Sequence, residues 1–442
     1  MSLSRNQIII VGIIGIIILF FILVFLDVIP GLKKPGSDSS FGAIGGGKKI
    51  VLNFWGVIDG HNDKEAFQAT IEAYQKINKN IQIDFQAFDN RLTYEKTLLN
   101  ALATGRAPDI LMFHNSWLPK HYDKALPLSE AAFPLNQFQQ LFPYVAEQNF
   151  ILKQDEKSFI YALPLYIDTL AFLYNKDIFD AKAIALAPTN WQSFQNLIPY
   201  LRERNPANQI VKPAAAIGGS EKNINAASDL LNLLMLQFGS QMIDKYGKIQ
   251  FGQKGQEAFN FYLQFTNPNS SFYTWNENLR YSLDSFSDGL TAAIFNYSSA
   301  LPLIRKKNPY LKIGLGLMPQ LAEADQPVNY ANYWGLSVSR QSQRQDLAWN
   351  FIIFSAANPQ IAENFLQITK KPPALRSLIQ KYINDSELGI FARQALTARS
   401  WPQPDNEAVR KIFSNMVESV LSGRLNSQKA LAEAESEIDA IK

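Results

Sequence analysis

A chain of 442 residues that is 47% hydrophobic holds enough apolar material for two or three cores and is not a disordered polymer. Its net charge of +3 comes from 42 basic and 39 acidic residues with no basic tract to follow a phosphate backbone, which argues against a nucleic-acid partner. The absence of cysteine removes disulfides, thiolate metal sites, a thiol nucleophile and a lipid-modified cysteine.

The first element is the uncharged apolar run from Ile8 to Leu26. As a helix at ~1.5 Å per residue it spans roughly 28 Å, about a hydrocarbon thickness. The run exceeds a usual signal-peptide core, and no Ala-x-Ala site follows it, so it reads as an uncleaved signal anchor rather than a cleaved leader. Residues 1–29 are therefore expected to form a single-pass anchor, with the chain after about 30 on the extracytoplasmic side. Arg5 and the amino terminus before the run balance Lys33 and Lys34 after it, so charge alone does not orient the helix. Residues 30–49, PGLKKPGSDSSFGAIGGGKK, have too little apolar content to pack and read as a flexible tether.

From Ile50 the pattern alternates. Strand 50–55 is followed by a helix carrying Phe67, Ile71, Tyr74 and Ile77, then strand 81–88, a helix from about Thr93, and the apolar strand 109–113. Such a β-α-β-α-β series implies a parallel sheet, whose ligands sit beyond the carboxyl ends of the strands, here the turns 56–62 and 114–118. A second α/β series comprises strand 170–175, helix 191–202, strand 209–217, helix 224–238, strand 291–296, strand 311–318 and the segment 333–340. The remainder is helical, interrupted at Pro359, Pro372–Pro373 and Pro402–Pro404.

These segments carry FWG, TGRAPDILMFHNSW, YALPLYIDTLAFLYNKDIF, PTNW, DGLTAAIFN, KIGLGLMP and YWGLSVSRQSQRQDLAWNFIIFSAANPQ, in that order. In this the chain resembles the family 1 extracellular solute-binding proteins of ABC importers, the maltodextrin-binding-like group, over about residues 50–442. The resemblance implies a two-lobed α/β fold of the type II periplasmic-binding-protein kind, preceded here by one transmembrane helix. Lobe 1 is expected from 50–164 plus 336–383 and lobe 2 from 165–335 plus 384–442. Crossings are expected near 164–168, near 334–336 and after about 383. Hinge closure around a ligand is a known route to a two-state switch.

A sugar offers C–H faces and hydroxyl edges, so its pocket needs flat aromatics and polar acceptors. The resemblance sets Phe113, Asn115 and Trp117 at a strand's carboxyl end near ligand, with surface or interlobe packing as the rival role for Trp117. Asp168 in LPLYIDTL is a carboxylate able to accept two hydroxyls, or else a hinge residue holding a backbone turn. Tyr166 would share its face in an extended segment. Asp59, His61 and Asn62 precede a helix, and one of them serves as its N-cap. Trp334, followed by Gly335, is the leading aromatic candidate against a core role, while Trp275, Tyr297 and Trp401 are weaker ones from loops. Trp55 and Trp191 read as core. His61, His114 and His121 lack metal spacing and read as surface or loop residues.

No nucleophile elbow or acid/base pair is recognisable, and no cofactor, metal or catalytic residue is expected. The reading is a monomeric, non-enzymatic receptor that captures a carbohydrate and presents it to a membrane permease. A glycan-degrading enzyme and a sensor subunit of a signalling system are its rivals.

Overall fold

A computed structural model describes residues 49–60 and 62–442. The apolar run 8–26, the tether up to residue 48 and His61 lie outside the described residues. Among the described residues, no helix is long and apolar enough to cross a membrane.

The first lobe opens with β1 (Ile50–Val57), α1 (Asp63–Ile77), β2 (Ile81–Phe88), α2 (Arg91–Ala103) and β3 (Ile110–His114). β1 pairs in parallel with β2 from Ile50↔Ile81 onward and with β3 at Phe54↔Ile110, as the alternation predicts. β3 is buried along its whole length, which is why it reads as an unbroken apolar run. α1 buries Phe67, Ile71 and Tyr74, one stripe of its surface, and carries Asp63 and Glu65 where its dipole favours negative charge. The far edge of the sheet comes from later in the chain. β4 (Ala125–Leu126) and β5 (Leu163–Pro164) both pair antiparallel with a strand that arrives only at Trp334–Ser339.

The chain then crosses through β6 (Asp168–Thr169) into β7 (Ala171–Asn175). The second sheet runs Ala215–Ala216 (β8), Ala293–Asn296 (β9), β7 and Ile313–Gly316 (β10). Only β8 and β9 are parallel, since β7 runs against both its neighbours. The strand expected over 209–217 is split at Pro213, which cannot donate to a ladder. Ile210–Lys212 pairs outside the sheet with Glu203–Arg204, and only β8 joins it. The helix expected from Ile224 starts at Ala227, because Ala226 takes a left-handed φ of 59°.

The chain returns through β11 (Asn329–Asn332) into β12 (Trp334–Ser339), which lies antiparallel to β3 inside the first sheet. Tyr330 packs in the second core and Ala331 in the first, so the return falls at β11 itself. The third crossing falls after residue 383 and is gradual: Phe391 packs with Ala171 and Leu173 of the second sheet, Ala392, Ala395 and Ala398 in the first core, and Trp401 in the second. Here β11 is sandwiched between β6 and Ala398–Arg399 (β13), so all three crossings share one small sheet.

Gly335 permits a close approach, but to the fold rather than to a solute. A Cβ there would lie 2.7 Å from the Leu163 carbonyl and 2.8 Å from the Phe150 ring. Gly335→Ala should therefore destabilise the fold by about 1–3 kcal/mol, the usual cost of overpacking a core. Denaturant unfolding measures this as a lower midpoint at unchanged slope; an unchanged midpoint would show that β12 and β5 can part freely.

Candidate functional site

Of the twelve candidates read from sequence, His61 lies outside the described residues, Trp275 is fully buried among Ile224, Phe286 and Ile294, and the other ten fall into four places. Phe113, Trp117 and Trp334 belong to the first core. Trp334 is 2% exposed, with Trp117 and His114 edge-on to it at 5.3 and 4.9 Å and the Arg91 guanidinium over its ring at 5.9 Å. Trp117 stacks on Tyr94 at 5.9 Å. Phe113 packs edge-on against Trp117 and Phe150. Trp334→Ala should accordingly cost roughly 3–5 kcal/mol of folding stability without any solute; equal unfolding midpoints for the two proteins would return the ring to the cleft.

Asp168 is the residue of the crossing. Its carboxylate accepts from Thr169 N at 2.9 Å, Ser298 N at 3.0 Å, Ser298 Oγ at 2.8 Å and Ser299 N at 3.1 Å. Burial pushes this carboxyl up to about 6 even though all four donors favour its ionised form. Both oxygens are thus engaged in holding the turn before helix Ala300–Lys307, the backbone-holding role rather than the hydroxyl-accepting one. Tyr297 in that turn donates to Asp229 Oδ2 at 2.7 Å, and burial raises the Asp229 carboxyl.

Tyr166 faces the other lobe. Its hydroxyl donates to Asp59 Oδ2 at 3.2 Å, and the Lys371 ammonium lies over its ring at 4.3 Å. Lys371 pairs with both Asp59 and the buried Asp63, the latter at 2.9 Å. Burial opposes ionisation of Asp59, but Lys371 overcomes it and keeps the carboxyl low; Asp63, deeper and beside a second carboxylate, is raised. Asp63 Oδ2 also accepts Gly60 N at 2.8 Å, so it ties down the turn before α1. Asn62 occupies the N-cap position without a capping bond, and its amide donates to Ile368 O at 3.1 Å.

Asn115 and Trp401 meet at a cavity between the lobes. It measures ≈ 390 Å³ and is also lined by Tyr144, Gln148, Asn149 and Lys153. Asn115 accepts from Tyr333 N at 3.3 Å within the first lobe, and the Trp401 indole donates to Asn232 Oδ1 at 2.7 Å in the second. Helix α3 (Tyr144–Phe150) contributes Tyr144, which is 49% exposed and carries the Arg399 guanidinium over its ring at 5.3 Å. The volume lies within the roughly 300–1,000 Å³ of small-molecule sites.

Two of the histidines are not surface residues. His114 is buried with Nδ1 2.8 Å from Ser116 Oγ and Nε2 3.0 Å from Asn332 Oδ1, and burial holds its pKa well down. His121 is buried with Nε2 3.0 Å from Glu95 Oε1. Tyr144, Arg91, Asp229 and Lys371 were not singled out from the sequence. Arg91 had a signal, since it follows the carboxyl end of β2, and the rule applied to β1 and β3 covers it equally.

The sequence pattern described as bacterial extracellular solute-binding protein matches residues 59–362. This chain belongs to that family. The extracellular solute-binding proteins are binding proteins, not enzymes, and they act outside the cytoplasm, so the resemblance read from the motifs stands. A putative binding protein of Brucella abortus is 21% identical over 391 residues, covering 85% of this chain and 89% of its own. A maltotriose-binding protein of Pyrococcus abyssi is 21% identical over 335 residues, covering 74% and 66%. Among solved structures, a Thermotoga lettingae solute-binding protein bound with α-D-tagatose superposes with a TM-score of 0.68 at 19% identity, over 88% of this chain and 99% of that one. A Listeria monocytogenes substrate-binding protein in complex with cycloalternan gives 0.70 at 16% identity, over 89% and 98%. At such identities these structures establish the shared two-lobed fold.

The rim of the cleft in this solute-binding protein carries a further paired carboxylate. Hydrogen bonds from His121 and then Lys120 hold Glu95 at about 2 despite its burial. Because the folded pKa lies below the unfolded value, the stabilisation is present above about pH 4.5 and is lost as pH falls towards 2. Glu95→Gln should cost up to about 3 kcal/mol at neutral pH and flatten that acid limb. Parallel stability–pH curves for the two proteins would refute the pairing.

Proposed function

We propose that the chain captures a carbohydrate between its two lobes and hands it to an ABC permease, with residues 8–26 keeping it at the membrane. The observation that carries this reading is the ≈ 390 Å³ cavity, lined by Tyr144, Glu147, Gln148 and Lys153 from one lobe and by Trp401 from the other. A flat ring beside amide and charged groups matches a sugar's C–H faces and hydroxyl edges. Walls from both lobes let a solute favour the closed arrangement, which a population shift requires. The sugars named with the Thermotoga and Listeria proteins and the maltotriose-binding relative support the same ligand class.

A thermal-shift screen over mono- and oligosaccharides tests the reading, since a ligand at 100 times its Kd adds about 2.7 kcal/mol to native stability. No stabilisation by any sugar tried, with stabilisation by a different solute class, would defeat it. Recovery of the sugar intact after incubation separates capture from hydrolysis. Tyr144→Ala should weaken sugar binding by about 1–2 kcal/mol, roughly 5- to 30-fold, and leave apo stability nearly unchanged because the ring is half exposed. For the anchor, the mature protein should stay with membranes through a high-salt wash; release of a form beginning after Leu26 would remove it.

A further inference from the structure

Direct charge pairs join the lobes at one rim of the cleft. The first lobe supplies Arg91, at the start of α2, and Lys120. The second supplies the first turn of the helix Asn406–Leu421 and its N-cap Asp405. Lys120 Nζ lies 2.7 Å from Asp405 Oδ2. Arg91 donates through Nη2 to Asn406 Oδ1 at 2.8 Å, and its Nη1 lies 3.3 Å from Glu407 Oε1.

Lys120, Glu407 and Asp405 are also gripped on their own sides. Lys120 lies 2.9 Å from Glu95, Glu407 lies 3.6 Å from Arg410 Nη1, and Asp405 accepts from Glu407 N at 3.0 Å as the helix cap. Side chains so held lose little freedom when the lobes meet, which removes a large part of the usual cost of an ion pair. They keep only 20–33% of their surface, so water screens them less than free surface charges. None of these contacts needs a bound molecule.

We infer that these contacts form an electrostatic strap that draws the lobes together in the absence of solute, making closure a function of ionic strength as well as of ligand. Entry of any solute then requires the strap to open, whatever that solute is.

The test uses the full-length protein in detergent. Because the chain has no cysteine, Lys96→Cys on α2 and Asn415→Cys on the facing helix accept one label pair without background. In the otherwise unaltered protein the interlabel distance should lengthen as salt rises from ~20 mM to ~500 mM, where the Debye length falls from roughly 20 Å to roughly 4 Å. Asp405→Asn with Glu407→Gln keeps a good cap and the side-chain shapes while removing both negative charges. This variant should be shifted toward the longer distance already at low salt, by roughly three- to tenfold in population, and should respond little to salt. Arg91→Gln should reproduce the opening from the other lobe, which guards against a folding defect confined to the helix. The same short distance in the parent and both variants at low salt would overturn the strap. No sugar is added, so the outcome is independent of the carbohydrate reading.

Discussion

Four hydrogen bonds to one buried carboxylate set the relation between the crossing strands and the second lobe. Asp168 leaves the first lobe in β6 and gathers the backbone and hydroxyl donors of Thr169, Ser298 and Ser299. A carboxylate in such a site is costly to strip of its partners, because an unsatisfied buried charge carries its full desolvation penalty. The turn that carries Tyr297 is therefore fixed to the crossing, and Tyr297 in turn fixes Asp229. On the other side Tyr166, two residues earlier, reaches Asp59 and the Lys371 cluster. One short segment thus positions a polar group in each lobe, and the small three-stranded sheet of the crossings holds that segment in place.

Much of the fold was legible because it rests on local periodicity. The five elements from Ile50 to His114 appear where alternation and helical spacing put them. Misreadings came where a single residue overrode its neighbours: Pro213 cut an apolar run into two unrelated strands, and Ala226 delayed a helix that its apolar content advanced. Where the third crossing falls depends on which core each residue from Phe391 to Ala398 fills. That is a long-range matter with no local signature.

The site was harder to read for a related reason. Phe113, Trp117 and Trp334, at or beside the carboxyl end of β3, are buried in the first core, since a carboxyl-end position does not say which way a ring points. Tyr144, which does line the interlobe cavity, starts an ordinary short helix and carries no motif. Polar clusters assembled from distant segments, such as Asp59, Asp63 and Lys371, are equally invisible before folding. Family membership adds the class of task.

The position of Trp334–Ser339 within the first sheet has a bearing on how the protein is made. This strand lies between β3 and β4, yet it follows the entire second-lobe segment in the chain. An emerging chain therefore cannot complete its first domain before most of the second has appeared, unlike proteins whose amino-terminal domain folds as an independent unit during synthesis. A polypeptide that must be threaded across a membrane gains from this ordering, because its leading portion stays without a finished core, and so remains extensible, until nearly all of it is through.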